Sequence, residues 1–302
     1  MTQIRKLFFA MGTAHTLTVF DEADISALDA AKTRVLQLHR KLNAFDPDSE
    51  ISRVNRAAGR AFVPVSADTF SLIRTAAYFA EQTDGCYDPT AGAVSMLWKQ
   101  AIRRGALPSR SEIRRAVSKT DYRDIEMDAK RCAVRLRRKG QALDLGGIAK
   151  GYAADEVRRI LRMAGVENAL ANLGGTVVCI GKPRQIGVQD PFRSTGTPFT
   201  AVTVCDKALV TSGVYARSFV HDGKTYHHII DPKTGFPSDS DLRGITLLGA
   251  HATALDALAT ATFLMEPERF GELIRMFDIQ AICVMSDGSV FATDAIGKEY
   301  AS

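Results

Sequence analysis

The sequence predicts an α+β fold with largely antiparallel sheets and packed helices. Strand-like segments occur in runs, most clearly over 167–220, where glycines, prolines and Asp190-Pro191 separate them. Helical segments are intermixed with these runs without regular strand–helix–strand alternation, which argues against a doubly wound parallel sheet. Hydrophobic residues make up 46% of the 302 residues and charged residues 24%, so the chain can bury a sizeable core. We expect a single domain over residues 1–302.

The first third of the chain predicts a strand pair followed by helices. Residues 7–20 predict a strand, a turn at Met11-Gly12-Thr13 and a second strand. Apolar residues at helical spacing predict a helix over 26–42, with Ser26 or Asp24 as its N-cap. Two further helices are predicted in this part of the chain: 49–56 and 67–83.

The remaining elements lie on both sides of a glycine-rich loop at 146–151. Two or three strands are predicted before the loop, over 122–145, and a helix follows it. An apolar helical segment carries the single tryptophan, Trp98. The other predicted elements are a polar helix over 108–120, helices over Ala252–Met265 and Pro267–Phe277, and a closing strand pair at Ala281–Met285 and Ser289–Ala292.

The net charge of +5 is mild, and part of it is concentrated in one segment. No recognisable nucleic-acid-reading module accompanies this charge, so we do not expect nucleic acid as a partner. We expect a solvated strand edge instead, because Lys and Arg on an edge oppose sheet-to-sheet aggregation. The cluster consists of Arg131, Arg135, Arg137, Arg138 and Lys139.

The five cysteines are widely spread and form no C-x-x-C or Cys/His zinc spacing. Most of them lie in apolar surroundings, so we interpret them as small core residues of a protein in a reducing compartment. The apolar run near the N-terminus is too short for a signal peptide, and no apolar stretch approaches the ~20 residues of a membrane span. We therefore expect a cytoplasmic protein, or a periplasmic one if an export signal was trimmed.

The segment Leu143–Asp155 combines an apolar run, paired glycines at Gly146 and Gly147, and a helix start. A strand, a glycine loop and a helix in this order direct unpaired backbone N–H groups at an anion. Lys150 adds a positive charge there. The spacing matches neither a Walker A loop nor G-x-G-x-x-G, so we interpret the segment as another kind of nucleotide-handling loop. The alternative is a tight turn whose glycines serve only positive φ.

Asp256 and Thr260 lie four residues apart on a predicted helix, so their oxygens project from the same face. The surrounding residues are mostly Ala and Leu, so this face is expected to be buried. A buried carboxylate needs a hydrogen-bond network or a cation. A carboxylate and a hydroxyl suit Mg²⁺. From the spacing alone, a magnesium site and an Asp satisfied by backbone N–H groups are equally good interpretations.

Two further segments hold candidate functional residues. His227 and His228 are adjacent, so only one can point into a given cleft if both lie on a strand. A histidine before the turn at Asp231-Pro232-Lys233-Thr234-Gly235 could serve as a general base. Asp88, in Tyr87-Asp88-Pro89-Thr90, is the other candidate; its alternative role is to cap a helix that begins near Pro89.

Taken in order, these segments resemble the ApbE family of FAD:protein FMN transferases over essentially the whole chain. The match rests on several motifs in register, and each would be weak alone. The motifs are Met11-Gly12-Thr13, Phe45-Asp46-Pro47-Asp48-Ser49-Glu50, Asp84-Gly85 with Asp88-Pro89-Thr90, the segment from Asp144 to Tyr152, Asn172-Leu173-Gly174-Gly175, Thr211-Ser212-Gly213, His228-Ile229-Ile230-Asp231-Pro232 with Thr234-Gly235, and Asp256-Ala257-Leu258-Ala259-Thr260.

The resemblance implies an ApbE-like, T-fold-related architecture and a Mg²⁺-dependent enzyme. Such an enzyme moves FMN from FAD onto a Thr or Ser hydroxyl of an acceptor flavoprotein and releases AMP. The implied metal ligands are Asp256, Thr260 and a backbone oxygen at Gly147, and the implied catalytic histidine is His228, with His227 as an extra histidine beside it. FAD contacts are implied for Met11, Ala44, Phe45, Asp46, Asp88, Lys150 and Ile230.

Two other functions use the same implied residues. Some members of the family mainly hydrolyse FAD to FMN and AMP, and some bind flavin without turnover. Hydrolysis of FAD differs from FMN transfer only in whether water or a protein hydroxyl attacks the phosphorus. The alternatives are therefore a Mg²⁺-dependent FAD pyrophosphatase and a flavin carrier, and neither the acceptor nor the oligomeric state follows from the sequence.

Overall fold

The computed structural model describes residues 3–21, 25–215, 218–221, 224–293 and 296. Strands and helices are intermixed along the chain. The strands are β1 (Ile4–Ala10), β2 (Thr13–Val19), β3 (Val63–Pro64), β4 (Ile125–Asp128), β5 (Ala133–Leu136), β6 (Ala169–Asn172), β7 (Thr176–Ile180), β8 (Arg184–Gln189), β9 (Pro198–Val204), β10 (Ala208–Gly213), β11 (Ser218–His221), β12 (Lys224–His227), β13 (Leu242–Gly249), β14 (Gln280–Met285) and β15 (Val290–Ala292). The helices are α1 (Ile25–Leu42), α2 (Glu50–Arg56), α3 (Ala67–Gln82), α4 (Gly92–Arg104), α5 (Arg110–Val117), α6 (Ala149–Met163), α7 (Ala252–Thr262) and α8 (Pro267–Met276).

The largest sheet has eight strands within the described residues, in the order β1-β2-β6-β7-β10-β13-β14-β15. Every neighbouring pair in this sheet is antiparallel. Smaller antiparallel units are formed by β3-β5-β4, β8-β9 and β11-β12. Mixed helices and antiparallel sheets confirm the predicted α+β class.

The main hydrophobic core lies between the large sheet and a layer of helices. Helix α6 packs against both α1 and α7, and α7 packs on β10 and β13. The apolar stripe of α1 is fully buried at Leu28, Ala31, Val35 and Leu38, as its 3.6-residue spacing predicts. A second cluster joins the β8-β9 hairpin to the large sheet, and a third joins α4 and α5 around Trp98. No described helix is both long and apolar enough to cross a membrane.

Two helix starts have side-chain caps. Ser49 caps α2 by accepting a hydrogen bond from the Ser52 amide at 3.0 Å. Ser109 and Glu112 form a reciprocal capping box at the start of α5. Ser26 lies inside α1, so it is not the N-cap, and Asp24 lies outside the described residues.

The strand predicted directly before the glycine loop is wrong. Within the described segment 25–215, residues 141–145 make one isolated bridge, from Ala142 to Ala91, and no strand. The backbone groups of Leu143 instead bond to the Asn55 side chain, at 2.7 Å through N–H and 3.0 Å through C=O. The Asp144 amide donates to the Pro89 carbonyl at 2.8 Å. Side chains and loops therefore replace the strand partner that the apolar run suggested.

The basic cluster is also not at a strand edge. Strand β5 is the middle strand of its sheet, with β3 on one side and β4 on the other. The arginines of the cluster contact carboxylates from the preceding segment: Arg135 and Arg137 contact Glu126, and Arg138 contacts Asp124. The guanidinium groups are solvated, as expected, but their positive charge is largely balanced by acidic neighbours.

Three helices are joined by one ionic cluster. Arg34 on α1 donates two hydrogen bonds to Asp68 on α3, at 2.6 and 2.9 Å, and one to Glu156 on α6, at 2.8 Å. Lys41 also contacts Asp68, at 2.8 Å. The Arg34 hydrogen bonds, reinforced by Lys41, hold the pKa of the Asp68 carboxyl well below its ordinary value of 3.8.

We expect Asp68→Asn to lower the free energy of unfolding by about 1–3 kcal/mol at pH 7. A carboxyl whose pKa is depressed by folding contributes its full stability above its unfolded pKa. That contribution is lost as the pH falls through the lower, folded pKa. The difference between wild type and variant should therefore shrink below pH 3.8.

Urea unfolding at pH 7, 4 and 2.5 measures this difference. The exposed Asp239→Asn change is the control and should alter stability by less than about 0.5 kcal/mol. A difference for Asp68→Asn that stays constant over this range would contradict the assignment of the pH dependence to the Arg34–Asp68 pair.

Candidate functional site

Helices α6 and α7 make an unusually close contact that builds the candidate site. A Cβ atom placed on Gly151 would lie 2.2 Å from the Ala252 carbonyl oxygen, so only glycine permits this approach. Asp155, one turn further along α6, accepts hydrogen bonds from the amides of Ala252 and Thr253, at 3.1 and 2.9 Å. Asp155 thereby satisfies amides at the start of α7 that the helix leaves unpaired.

Asp256 projects from α7 onto the start of α6. Its side chain is only 2% exposed. The carboxylate accepts a hydrogen bond from the Gly151 amide at 2.9 Å and pairs with the Lys150 ammonium at 3.0 Å. The Gly151 amide is in the first turn of α6, where N–H groups lack helical partners and the helix dipole favours a negative charge. One backbone N–H and the Lys150 ammonium thus satisfy the buried Asp, and the magnesium interpretation stays a prediction.

Thr260 and Gly147 meet beside this carboxylate. The Thr260 hydroxyl donates to the Asp256 backbone carbonyl at 3.2 Å, across one turn of α7. A Cβ built on Gly147 would be 3.1 Å from Thr260 Oγ1 and 3.1 Å from Cε2 of Tyr87. A methyl group at Gly147 would therefore be crowded, so glycine lets the loop pass close to the hydroxyl and the aromatic ring and leaves only a narrow space there.

Tyr87 is a buried member of the site that the sequence analysis did not single out. Burial raises the pKa of its phenol well above the ordinary value, and the charges of Asp144, Asp256 and Asp88 add to the effect. The hydroxyl therefore stays protonated at neutral pH. Tyrosine in an apolar environment is ordinarily a core residue, and only the position of its ring over Gly147 connects it with the glycine loop.

The glycine loop is shaped by its own aspartate. The Asp144 side chain accepts a hydrogen bond from the Gly146 amide at 2.9 Å, which forms a tight local turn. Helix α6 begins two residues after Gly147, at Ala149. The amides of Ile148 and Ala149 donate to the Leu145 carbonyl, at 3.1 and 2.9 Å, and the Gly151 amide donates to Asp256. The expectation that the N–H groups of these residues are unpaired and directed at an anion is therefore wrong, whereas the Lys150 ammonium lies at the helix start as expected.

Met11 lies at the turn between β1 and β2 in a left-handed conformation, with φ of 48°. Its amide donates to Nδ1 of His39 at 3.2 Å, which ties the turn to the end of α1. Left-handed backbone is uncommon for a residue other than glycine, asparagine or aspartate. His15 on β2 is buried beneath the turn and bonds through Nε2 to the Ala10 carbonyl at 2.8 Å.

The predicted turn at Ala44, Phe45 and Asp46 lines a cleft. Phe45 is 45% exposed, and the Lys99 ammonium lies 3.1 Å from the centroid of its ring. The cleft has a volume of about 360 Å³ and continues to Ala142, just before the glycine loop. The Asp46 side chain accepts a hydrogen bond from the Asp48 amide at 3.0 Å and so stabilises the turn.

Asp88 does not cap a helix, because α4 begins only at Gly92 with Ala91 as its N-cap. Its carboxylate accepts hydrogen bonds from the amide and hydroxyl of Thr90, at 2.7 and 2.6 Å, and from the Tyr122 amide at 3.0 Å. Burial nevertheless raises the pKa of Asp88, with these hydrogen bonds opposing the rise. In this structure Asp88 therefore serves to hold its own loop in place.

The two adjacent histidines differ in burial, and strand alternation does not apply to them because β12 ends at His227. His227 is buried and bonds through Nε2 to the Ser238 carbonyl at 3.0 Å, and burial lowers its pKa. His228, the next residue, is exposed. Ile230 bridges to Pro237 across the turn and packs with Trp98 in the third hydrophobic cluster.

The structure thus brings some predicted site residues into direct contact and leaves others apart. Lys150, Asp256, Thr260 and Gly147 form one cluster at the junction of α6 and α7. The Phe45 turn instead lines the cleft that reaches Ala142, Met11 bonds to His39, and Ile230 packs against the cluster around Trp98. Two residues that support the site could not be recognised from the sequence. Asn55 and Asp155 form hydrogen bonds with backbone groups 88 and 98 residues away.

The donors at the junction of α6 and α7 suit a hard cation. Within the described residues no group of three or more His, Cys, Asp or Glu side chains could hold a metal ion. The Asp256 carboxylate, the Thr260 hydroxyl and the backbone carbonyl of Gly147 offer oxygen ligands of the kind that Mg²⁺ takes. Water or phosphate would fill the remaining coordination positions. The position of a Cβ on Gly147 lies 3.1 Å from the Thr260 hydroxyl oxygen.

Comparison with known proteins decides the family. The sequence model of the ApbE family matches residues 11–283. The chain belongs to the ApbE family. An FAD:protein FMN transferase of Treponema pallidum is 33% identical over 290 residues, covering 90% of this chain and 80% of its own length. A second protein of that name, from Klebsiella pneumoniae, is 34% identical over 267 residues, covering 87% and 84%.

Solved structures of ApbE proteins have the same fold. The ApbE protein of Thermotoga maritima has a TM-score of 0.89 and 33% identity, and the match covers 98% of this chain and 99% of that one. The flavinyl transferase ApbE of Pseudomonas stutzeri, at 23% identity, has a TM-score of 0.85 over 100% and 98% of the two chains. The predicted resemblance and the ApbE-like architecture are confirmed, as is membership of a family of transferases.

We expect Gly151→Ala to destabilise this ApbE protein by about 3 kcal/mol, because the added methyl group would collide with the α7 backbone. Gly271→Ala is the matched control, since a Cβ there meets only a side-chain atom of Arg275, at 3.6 Å. Alanine favours a helix over glycine, so the control should be neutral or stabilising by up to about 1 kcal/mol.

Urea unfolding of both glycine variants measures these effects. Equal stabilities for the two would contradict the inference that Gly151 sets the distance between α6 and α7.

Proposed function

We propose that this protein transfers FMN from FAD to a Thr or Ser hydroxyl of an acceptor flavoprotein, in a Mg²⁺-dependent reaction that releases AMP. The family supports flavin transfer, since curated relatives carry the name FAD:protein FMN transferase. The observation that carries the finer proposal is the cluster of Asp256, Lys150 and the Gly151 amide beside Thr260 and Gly147. This cluster joins a cation-binding carboxylate to an anion-binding helix start.

Asp256, Thr260 and the backbone at Gly147 would hold the Mg²⁺ ion. A bound Mg²⁺ ion stabilises the negative charge that develops on phosphate oxygens during phosphoryl transfer. Lys150 pairs with Asp256 in the structure, so a cation at the carboxylate would share or replace that contact. The Lys150 ammonium is then placed to pair with a phosphate of FAD, and amides of the loop can donate to the same group.

The cleft beside Phe45 is the proposed position of a ring of FAD. An exposed aromatic face suits stacking by the flavin or the adenine, and Lys99 lies over the ring in the structure described here. The cleft leads along residues 140–142 towards the glycine loop. In this proposal Met11, Ala44, Asp46, Asp88 and Ile230 are the remaining FAD contacts.

His228 is the proposed general base. A Thr hydroxyl is a weak nucleophile until a base accepts its proton. In the proposed step the acceptor oxygen forms a bond to the FMN phosphorus, its proton passes to His228, and the phosphoanhydride bond to AMP breaks. The exposed position of His228, before the turn at Asp231, suits contact with another protein, whereas His227 is buried and bonded to Ser238.

Incubation with FAD and Mg²⁺, with and without an acceptor protein, tests the overall proposal. AMP that forms only with the acceptor identifies a transferase. AMP that forms equally without it identifies a pyrophosphatase. No AMP under either condition identifies a carrier, so the last two outcomes contradict the proposal.

We expect Asp256→Ala to abolish AMP release, because the variant loses the carboxylate that would bind the cation. Thr260→Val, which removes only the hydroxyl, should raise the Mg²⁺ concentration needed for half-maximal activity about tenfold. Asp287→Ala, in the turn between β14 and β15, is the control and should leave AMP release unchanged. Chromatography of the nucleotides measures the product, and full activity of Asp256→Ala would refute the metal assignment.

We expect His228→Ala to retain FAD binding and lose transfer by about 10²–10⁴-fold, the usual contribution of a general base. His227→Ala is the comparison: it should lower thermal stability through loss of the bond to Ser238, with activity falling only as the folded fraction falls. In-gel flavin fluorescence measures transfer, and FAD titration measures binding. The reverse pattern would make His227 the base.

A further inference from the structure

The Tyr87 hydroxyl is a buried donor without a use in the fold. Tyr87 is 4% exposed, and within the described residues its oxygen has no hydrogen-bond partner. Buried polar groups in proteins are nearly always paired, and an unpaired one costs free energy. Phenylalanine would fill the same volume without that cost, so the hydroxyl calls for a partner outside the chain.

The hydroxyl end of the Tyr87 ring lies at the candidate cation site. Cε2, which is bonded to the carbon that carries the hydroxyl, is 3.1 Å from the position of a Cβ on Gly147. Thr260 Oγ1 is also 3.1 Å from that position. The phenol, the Thr260 hydroxyl and the glycine loop therefore border the same small space.

The surroundings of this space favour an anionic partner held by a cation. The charges of three carboxylates, those of Asp144, Asp256 and Asp88, act on the phenol, yet none of these carboxylates accepts a hydrogen bond from it. A neutral phenol is a donor that suits a phosphate oxygen. Because the carboxylates would repel a bare phosphate, the phosphate needs a cation on Asp256 and the Lys150 ammonium nearby.

We propose that the Tyr87 hydroxyl donates a hydrogen bond to a pyrophosphate oxygen of FAD beside Gly147 and Thr260. This inference rests on the proposed function and adds a substrate-positioning residue to it. Together with Lys150 and a cation on Asp256, the hydroxyl would then help to fix the dinucleotide phosphates relative to the glycine loop.

Tyr87→Phe is the test, because it removes only the hydroxyl and keeps the ring over Gly147. FAD and riboflavin are titrated in the presence of Mg²⁺, since riboflavin has the same ring system without phosphate. We expect the dissociation constant of FAD to rise about tenfold and that of riboflavin to stay unchanged. The melting temperature of the ligand-free variant should stay constant or rise by about 2 °C, because an unpaired buried hydroxyl has been removed.

Tyr122→Phe is the matched control. Tyr122 lies on the neighbouring segment, packs its ring against Gly85, and supplies only its backbone amide to Asp88. Its variant should bind FAD and riboflavin as the wild type does.

Each other outcome overturns the inference in a recognisable way. Equal FAD affinity of wild type and Tyr87→Phe shows that the hydroxyl contacts no phosphate, while the proposed function stands. A lower melting temperature with unchanged FAD affinity shows a structural role, such as a bond to buried water. Parallel weakening of FAD and riboflavin shows that packing of the ring is responsible. A wild type that does not bind FAD with Mg²⁺ overturns both this inference and the proposed function.

Discussion

The candidate site depends on the contact of the Asp256 carboxylate with the first turn of α6. A carboxylate with 2% exposure requires compensation, and here it comes from the Gly151 amide and the Lys150 ammonium. The helix start thus holds the carboxylate that is proposed to bind a cation. In the proposed function, cation and phosphate binding would be coupled through this one helix end.

Sequence reasoning was most successful where the signal was local. The α1 stripe follows from helical spacing, and Asp256 and Thr260 share a face because they are one turn apart on α7. Each of these inferences needs only the geometry of one element.

Predictions from the sequence were wrong or incomplete where contacts between residues distant in the sequence determine the local structure. The apolar run before the glycine loop is no strand, because Asn55 pairs with Leu143 in place of a neighbouring strand. Strand β5 becomes central because β3, a two-residue strand some 70 positions earlier, covers its other side. Asp155 likewise accepts a hydrogen bond from the Thr253 amide, 98 residues further along the chain. No local pattern encodes such partners, and the family resemblance supplied roles without supplying these contacts.

The wide separation of Lys150 and Asp256, 106 positions apart, has a consequence for biosynthesis. Strands β6 to β13, which include the middle of the large sheet, lie between them. A nascent chain that has emerged only as far as β13 has the glycine loop but lacks the carboxylate that completes the site. Under the proposed function, a product that terminates before α7 would therefore lack the carboxylate proposed to bind the cation.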